Sequence, residues 1–513
     1  MASRSGIRVV PLKVKNTEIP EFAGDYILKS VVLINHVGHK VDVKHIMLEL
    51  NIYESIYNNS ITGSIVIADE GNQIARMSIQ GLERIAFHLK TPGVAYGKED
   101  VVDASEETGE PYHIYKISNR RQLNRGITTY TLHFASREFM RNIRTKVSQA
   151  YDGKYDRAVI DIMKDKNYLD SRKKLHYEPT GNANKIVIPN LSPFDAIDTI
   201  AQKSVADKSK GVGYYFYETT SGFHFRSWQS MITNQGEFAR PPRQQFYYQP
   251  QKMSSNSKSS KNTKGERIDE VQDKIERGYE SVEAYEFVNN FHDVAANTLL
   301  GTYGHRVISH NLFDKSYNIS DYHFHNEFRS TPHTDTVEIV GNKFPISDSP
   351  VDYDNEDSVS SYSESRVSLQ TTAPFLHDKD VGKYGLDTAQ DGKKTGQRVS
   401  QQNQVVHGTV LKLVVKGQSY LQAGQLITFN LGDVNNAKMD NPIDPRFSGN
   451  YIITEIRHQV IKDEYKMTLG CAKDSVATSY GDVSQGVRMH RDGIHSANQS
   501  ELQLEEIDGD IGR

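Results

Sequence analysis

Cysteine and tryptophan are almost absent from this chain of 513 residues, which contains one of each. The single cysteine, Cys471, cannot form a disulfide bond within the chain, and it excludes a zinc site built from several thiolates. It follows the strand-like stretch 465–469. We therefore expect Cys471 to be a small buried hydrophobic residue at the end of a strand.

Long apolar runs are missing as well. No stretch approaches the roughly 18 residues that a membrane-spanning helix needs, and residues 1–6 lack the apolar segment of a signal peptide. Lysine and arginine (61) nearly balance aspartate and glutamate (65), which leaves a net charge of -4. No general positive field would attract nucleic acid or an anionic membrane. The composition predicts a soluble protein made in the cytoplasm, with no membrane insertion.

The familiar motifs of nucleotide binding and catalysis do not occur. The sequence has no Gly-x-Gly-x-x-Gly after a strand, no Gly-Lys-Ser/Thr, no Gly-x-Ser-x-Gly and no His-Glu-x-x-His. We therefore expect no catalytic residues, no cofactor and no metal, and a chain that is not an enzyme. With these functions excluded, we expect a protein that works by assembling with other proteins.

Five histidines form the densest group of possible metal ligands: His305, His310, His323, His325 and His333. His323 and His325 would share one face of a strand, where a metal ion could bind both. No carboxylate or further ligand stands at a familiar spacing, so we favour a simpler interpretation. Residues 322–325 are then an aromatic-rich surface strand.

Two acidic pairs are candidates for acid–base chemistry, Asp69-Glu70 and Asp463-Glu464. Both fall in predicted turns. A glycosidase needs two carboxylates at a set separation in one cleft, which a sequence alone does not show. We interpret all four as solvated turn residues.

A basic cluster is the strongest local positive patch, and it consists of Arg137, Arg141, Arg144 and Lys146, preceded by Arg120, Arg121 and Arg125. It could contact nucleic acid or an acidic partner. We favour a solvated helix face instead, with Phe139 and Ile143 on the other side of that helix, because Phe139, Ile143 and Val147 recur at four-residue spacing.

The chain contains one β-rich sequence pattern that occurs twice. The first copy has strands at 81–89, 112–117 and 129–134, and the second has strands at 424–431, 451–456 and 465–469. Phe87 and Tyr112 are about 25 residues apart and Phe429 and Tyr451 about 22, which is the spacing of a repeated three-stranded unit. The repeat predicts two similar β barrels or sandwiches used side by side.

The middle of the chain follows another pattern. After the predicted helix beginning at residue 137, an amphipathic helix is expected at 155–163 and another after Ser192, with Ser192 as N-cap and Pro193 in the first turn. Aromatic stretches at 214–218 and 223–228, separated by Thr219-Thr220-Ser221-Gly222, predict a β-hairpin. These elements predict an α+β module.

Polar stretches separate the folded parts. Residues 251–275 are rich in serine and lysine, 345–403 are acidic and rich in serine and glutamine, and the loop 91–111 is expected to be solvated. The expected division is a first β-barrel domain (1–136), an α+β connector (137–236), a flexible polar loop (237–275), part of the second barrel with an inserted segment (276–345), a polar loop-rich insertion (346–403), a second β-barrel domain (404–475) and an acidic C-terminal tail (476–513).

Several of these segments resemble the baseplate hub family of contractile-tailed bacteriophages, which is related to the hub part of type VI secretion spike proteins. Residues 136–153 resemble the passage from the first barrel to the connector helix, 190–197 with the aromatic hairpin 214–228 resemble the middle domain, and 447–458 with 465–469 resemble the closing hairpin of the second barrel. The resemblance covers most of residues 25–475.

The resemblance implies a mainly β fold with an α+β middle region, in which two tail-tube-like β-barrel domains are joined by a helical and hairpin connector. It further implies a homotrimer whose six barrels form a pseudo-six-fold ring between the hexameric tail tube and the trimeric central spike. The implied partners are the tail tube protein, the central spike protein and the baseplate wedge proteins. DNA would pass through the lumen, and the protein would lie in the virion's tail baseplate after assembly in the host cytoplasm.

Two alternatives stay open at the level of sequence. The same fold could serve as the spike hub of a type VI secretion-like injection machine, although the residues after Asp474 are too few for a fused needle or effector. A tail-associated hydrolase of cell-wall or glycan polymers is the alternative of another class, and it would require a cleft with paired carboxylates.

Overall fold

The fold is seen in a computed structural model of the chain. The structure describes residues 20, 22–70, 79–92, 101–107, 109–124, 126–181, 183–209, 211–233, 244–248, 275, 277–289, 293–311, 315, 317–328, 330–335, 361–372, 392–432, 444, 446–461 and 464–476. Most of the polar stretch 251–275 and nearly all of the tail 476–513 lie outside these residues, so the expectations for them are not examined further.

Within the described residues, the first β unit contains eight strands: β1 (Ile27–Ile34), β2 (Lys40–Asp42), β3 (Met47–Ser55), β4 (Thr62–Asp69), β5 (Arg84–Lys90), β6 (Val102–Asp103), β7 (Tyr112–Asn124) and β8 (Ile127–Ala135). They pair in the order β3-β4-β8-β7-β5-β1-β2. Alternate apolar residues face inward, and the rings of Phe87, Tyr112 and Phe134 lie 5.3 to 5.9 Å apart in the core.

The loop 91–111 is not simply solvated, as the sequence suggested. Its strand β6 pairs with β5 at His88 and Leu89, and Val102 and Ala104 are fully buried. Two apolar side chains placed next to a sheet edge are enough to draw the middle of a polar loop into the core.

The connector contains α1 (Arg137–Arg144), β9 (Val147–Lys154), α2 (Tyr155–Lys164), β10 (Leu175–Tyr177), β11 (Ala183–Leu191), α3 (Pro193–Lys203), β12 (Tyr214–Thr219), β13 (Gly222–Ser227) and α4 (Trp228–Thr233). The predicted helix at Ser192 is confirmed, since the Ser192 hydroxyl accepts a hydrogen bond from the Asp195 amide. The predicted hairpin is confirmed as β12 and β13.

The four-residue period after residue 136 was partly misleading. The helix α1 ends at Arg144, and Val147 begins strand β9, which pairs with β11. Ile143 is 61% exposed, whereas the buried residue of α1 is the acid Glu138. Val147 matched the four-residue helical spacing by position only, because it belongs to the strand that follows the short helix.

The second β unit begins with β14 (Gln245–Tyr248) and β15 (Val282–Asn289). An insertion follows, with α5 (Val294–Leu299), β16 (Gly304–Asn311), β17 (Tyr317–His323), α6 (Phe324–Phe328), β18 (Val367–Thr372) and α7 (Gly392–His407). The unit is completed by β19 (Thr409–Lys416), β20 (Leu426–Leu431), β21 (Gly449–Ile461) and β22 (Glu464–Lys473). A bridge between Tyr247 and Ser281 brings β14 next to β15 and closes this unit on itself.

Two stretches expected to be loops contain regular structure. Strand β14 lies in the stretch 237–275 and pairs with β20, because the fully buried Phe246 anchors it. Helix α7 occupies much of the second half of 346–403, and its inward side is polar. The Ser400 hydroxyl donates to the Thr302 carbonyl oxygen, and the Gln404 amide donates to the Ser400 hydroxyl. A helix held by buried hydrogen bonds leaves little apolar pattern in the sequence.

The expected mainly β fold with an α+β middle region is confirmed, and the predicted repeat is also present. In the first unit β7 pairs with β5 and β8, and in the second β21 pairs with β20 and β22. Tyr112 lies opposite Ile85 and Tyr451 lies opposite Ile427, so the pairs that the sequence repeat aligns share one register.

The repeat extends to two further strands. The order β3-β4-β8-β7 of the first unit matches β15-β19-β22-β21 of the second. Both copies interrupt the register at two equivalent points: after Ile114 and Ile453 in the long strands, and after Met47 and Val282 in the outer strands. Further shifts without a counterpart follow Ser118 and Gln122 in β7 and Phe287 in β15. Bulges at matching positions indicate that the two units share one backbone design.

The copies also differ. Strand β1 runs antiparallel to β5, whereas β14 runs parallel to β20. Residues 56–61 connect β3 to β4, whereas the insertion at residues 290–408 separates β15 from β19. The second unit therefore carries an additional module that the first one lacks.

Candidate functional site

The two β units join edge to edge. Strand β21 pairs antiparallel with β3 from Glu455 opposite Ser55 to Ile461 opposite Glu49, and the two units thereby form one continuous sheet. Backbone hydrogen bonds across a shared strand pair fix both position and register. This joint is the feature of the chain best suited to assembling β units side by side.

Polar side chains line the outer face of the joint. The Arg457 guanidinium donates to Asn51 Oδ1 at 3.0 Å and lies 3.2 Å from Glu49 Oε1, and the Gln459 amide donates to Glu49 Oε1 at 2.8 Å. Burial alone would raise the pKa of Glu49. The hydrogen bonds from Gln459 and Asn51 and the charge of Arg457 outweigh burial, so the pKa of Glu49 is lowered. Arg457 of β21 thus lies beside the acidic Glu49 of β3.

The inner face of the joint is buried. Ile456, His458 and Val460 of β21 are at most 1% exposed, as are Leu50 and Ile52 of β3. His458 Nδ1 lies 2.7 Å from the Tyr465 hydroxyl. Burial lowers the pKa of His458 to about 3, so the imidazole is neutral at physiological pH.

Glu54 lies at the end of the joint where three parts of the chain meet. Its carboxylate oxygens accept hydrogen bonds from the Thr220 amide of the connector and the Ala423 amide of the second unit, each at 3.2 Å. Burial raises the pKa of Glu54 to about 8, although both amide bonds act in the opposite direction. The side chain fastens the first unit to both of its neighbours.

A buried ionic cluster extends from this point into the connector. Lys173 Nζ lies 2.5 Å from Glu218 Oε1 and 3.0 Å from Glu138 Oε2. The other Glu218 oxygen accepts from the Ile61 amide of the first unit. Burial would lower the pKa of Lys173, but the carboxylates of Glu218 and Glu138 outweigh it and raise that pKa. The cluster holds the connector against the first unit.

A second buried polar junction lies where β22 ends. Asp474 accepts from His333 Nδ1 at 2.9 Å, from the Thr334 amide at 2.9 Å and from the Trp228 indole at 3.5 Å. His333 Nε2 lies 2.7 Å from the Phe328 carbonyl oxygen. Both ring nitrogens of His333 face oxygen acceptors, and these two contacts fix the orientation of the ring. This junction connects the insertion, the second unit and the connector.

The remaining histidines do not form the surface strand that we expected. Strand β17 ends at His323, and helix α6 begins at Phe324, so His323 and His325 are not on one strand face. Phe324 is 1% exposed and His325 7%. His305 lies 2.7 Å from the Ser368 hydroxyl, and burial lowers its pKa to about 4. The aromatic rings fill a small core instead of facing water.

The acidic pairs are not alike. Asp69 is buried at the end of β4 while Glu70 is exposed, so the solvated-turn interpretation was wrong for Asp69. Asp463 lies outside the described residues, and Glu464 begins β22 and contacts Lys416 and Lys466. Cys471 is fully buried in β22, as predicted, although that strand continues to Lys473.

The basic cluster divides into two groups. Arg137 and Arg141 face the loop after α2, where Arg137 binds Asp170 at 2.7 Å and Arg141 donates to the Tyr168 carbonyl oxygen. They are structural contacts and not part of a solvated face. Arg144 is exposed, and Arg120 and Arg121 are exposed on the second half of β7. Arg125 lies outside the described residues.

The described residues do not bring three histidine, cysteine, aspartate or glutamate side chains together as metal ligands. Within the same residues, no helix is long and apolar enough to cross a membrane. The buried ionisable side chains Glu54, Glu138, Lys173 and Glu218 connect parts of the chain to one another. Sequence reasoning missed them because they come from four separate segments with no common spacing.

Comparison with protein-family models and with curated protein sequences finds no match. Solved structures are found. A tail protein from Neisseria meningitidis MC58 aligns with a TM-score of 0.47 at 9% identity, covering 88% of this chain and 97% of that one. The 43 kDa tail protein of prophage MuSo2 from Shewanella oneidensis aligns with a TM-score of 0.43 at 8% identity, covering 87% and 98%.

A third similar structure is a type VI secretion system component from E. coli, itself described as similar to the T4 bacteriophage tail proteins gp27 and gp5. It aligns with a TM-score of 0.40 at 9% identity, covering 85% of this chain and 75% of that one. These three structures are described as two phage tail proteins and one type VI secretion component. At this identity they assign no role to any residue of this chain.

Proposed function

We propose that this chain is a structural protein of a contractile phage tail, the hub of its baseplate. The observation that carries the proposal is the β21–β3 joint, through which two copies of one β unit form a continuous sheet within a single chain. The sequence resemblance to the hub family supports the same assignment.

The repeat gives the proposed hub its symmetry. Three chains with two equivalent units each would present six similar β units, which suits a six-fold tube on one side and a three-fold spike on the other. The matched bulges and register of the two units support such quasi-equivalence, since equal backbones can offer equal contacts. The insertion in only one unit keeps the overall symmetry three-fold.

The connector has a mechanical role in this proposal. A hub must keep its β units fixed while the tail contracts around it. Glu54 and Glu218 each accept hydrogen bonds from backbone amides across a boundary between two parts of the chain, and Lys173 compensates the buried charge of Glu218. Directional bonds in a buried site resist sliding better than apolar contacts do.

The tail tube protein, the central spike protein and the baseplate wedge proteins are the proposed partners. The ring would surround a channel for DNA, and a net charge of -4 would not trap the phosphate backbone. The protein would assemble in the host cytoplasm and end in the virion's baseplate. Mass spectrometry of purified, DNA-filled virions tests this location, and a type VI secretion-like spike hub would be missing from them.

Light scattering on the purified chain tests the proposed oligomer. A hub gives a particle of three times the chain mass of 58.0 kDa at micromolar concentration. Monomers throughout the concentration range would contradict it. Clearing of cell-wall material in a zymogram would favour the hydrolase alternative instead.

A further inference from the structure

Lys473 and Asp335 form a buried pair where the insertion meets the second β unit. Lys473 is the last residue of β22, and its Nζ lies 3.4 Å from Oδ2 of Asp335. The two side chains are 0% and 5% exposed. They are 138 positions apart in the chain, so the contact connects a residue of the insertion to a strand of the second unit.

Neighbouring backbone groups hold both side chains in place. Lys473 Nζ donates to the Ser448 carbonyl oxygen at 2.8 Å, and Asp335 Oδ1 accepts from the Asn450 amide at 2.8 Å. The Asp335 amide donates to the Ser475 hydroxyl at 3.0 Å, which fixes the backbone that carries the carboxyl group. The amine and the carboxyl group are therefore kept side by side.

Gly449, the first residue of β21, allows the carboxyl group to come this close to the strand. Its φ of +132° belongs to the region that favours glycine, and a Cβ atom placed on it would lie 2.7 Å from both carboxylate oxygens of Asp335. A side chain at this position would push Asp335 away from the Asn450 amide and from Lys473.

The surroundings favour an uncharged amine beside an uncharged acid. Burial lowers the pKa of Lys473, although the charge of Asp335 acts in the opposite direction. Burial likewise raises the pKa of Asp335 against the effect of Lys473. Transfer of one proton from the amine to the carboxylate removes both charges from a site without water access. An uncharged, desolvated lysine is a nucleophile.

We propose that Lys473 and Asp335 condense into an isopeptide bond within the folded chain. Nζ attacks Cγ of the protonated carboxyl group, and the Asn450 amide stabilises the negative charge that develops on Oδ1. Oδ2 keeps its proton, takes a second one from the nitrogen and leaves as water. One amide bond and one water molecule are formed, and no atom changes its oxidation state.

Two features of the site favour this condensation over a lasting ion pair. The reacting groups are held in contact by the fold, which replaces an encounter in solution by a fixed approach. Burial also separates them from the solvent water that keeps free amines and acids charged and apart. The bond would close a covalent loop from the insertion to β22, and such a cross-link limits the freedom of the unfolded chain.

Intact mass spectrometry of the purified full-length chain under denaturing conditions tests the proposal. The folded protein should weigh less than its sequence by the mass of one water molecule, and a peptide map should contain one branched peptide joining the segments around Asp335 and Lys473. On a denaturing gel the cross-linked chain should run ahead of the uncross-linked one. A disulfide within the chain cannot cause this, because the chain has one cysteine.

Lys473→Arg keeps the positive charge but removes the amine that reacts, so it should restore the full mass. The matched control is Lys416→Arg. Lys416 lies 2.7 Å from carboxylate oxygens of Glu283 and Glu464, but its side chain is 25% exposed. We expect this control to lose one water as the wild type does, and the wild-type peptide map to show no branch at Lys416.

Two results would overturn the proposal. One is a wild-type chain that keeps its full mass after prolonged incubation in the folded state, which would leave Lys473 and Asp335 as an ion pair. The other is a loss of water that persists in Lys473→Arg, since a cyclic imide at an aspartate also forms with loss of water. If Lys473→Arg does not fold, the branched peptide of the wild type decides the question by its presence or absence.

Discussion

Glu54 of the first β unit accepts a hydrogen bond from the backbone amide of Ala423 of the second unit, at 3.2 Å. The same carboxyl group accepts from Thr220 of the connector. One buried acid therefore spans the three folded parts, and its protonation state affects how firmly they are held together.

The first prediction concerns pH. Burial raises the pKa of Glu54 to about 8 from an ordinary 4.5, so the folded state binds a proton that the unfolded state has released. Its contribution to stability is complete below pH 4.5 and is lost as the pH rises through 8. Glu54→Gln should flatten the decline of the unfolding free energy between pH 5 and 9, measured by urea denaturation. Glu70→Gln, an exposed control, should leave the decline as in the wild type.

His458 predicts the opposite dependence. Burial lowers its pKa to about 3 from 6.5, so its contribution is present above pH 6.5 and is lost as the pH falls toward 3. Asparagine keeps an acceptor near the Tyr465 hydroxyl and does not titrate. His458→Asn should therefore lose less unfolding free energy than the wild type between pH 7 and 4. An unchanged acid sensitivity, with His45→Asn as control, would show that His458 is not a source of it.

Lys173 compensates two buried carboxylates. Lys173→Met leaves Glu138 and Glu218 without a positive partner, and breaking such a pair costs about 3 to 5 kcal/mol. Urea or thermal unfolding should show this loss, and the connector should become more sensitive to limited proteolysis. Lys166→Met removes an exposed lysine of the same module and should change stability by less than about 0.5 kcal/mol. Equal effects of the two substitutions would contradict the role of the cluster.

Arg457 is predicted to matter much less. It is 41% exposed, and its ion pair with Glu49 is on the outer face of the joint. Arg457→Ala should cost less than about 1 kcal/mol in unfolding free energy, since exposed pairs contribute little. If Arg457→Ala lowered the unfolding free energy as much as Lys173→Met, the outer face of the joint would stabilise it more than the buried face does.

The sequence predicted the elements whose patterns are local. The alternation of apolar and polar residues predicted strands β5, β7 and β8 and their counterparts in the second unit. The N-cap residue Ser192 predicted helix α3. The sequence did not reveal β15 as the counterpart of β3 in the second unit. Residues 290–408 separate β15 from β19, whereas six residues connect β3 to β4 in the first unit. A repeat interrupted by an insertion shows no fixed period.

The buried charges could not be predicted from the sequence. Glu138 stands on a helix beside arginines and looks solvated, yet it is fully buried because Lys173 and the Ser171 hydroxyl bind it. Its partners are more than thirty residues away in sequence. Whether a charged residue is buried depends on the partner that the tertiary fold supplies, and local pattern carries no record of that partner.

Electron microscopy of the purified full-length chain tests the central claim most directly. Two similar β units per chain and the proposed association of three chains predict closed rings with six similar lobes around an opening. Class averages should show this six-lobed outline with a three-fold modulation from the inserted modules. Separate two-lobed particles, or open chains of varying length, would contradict the account.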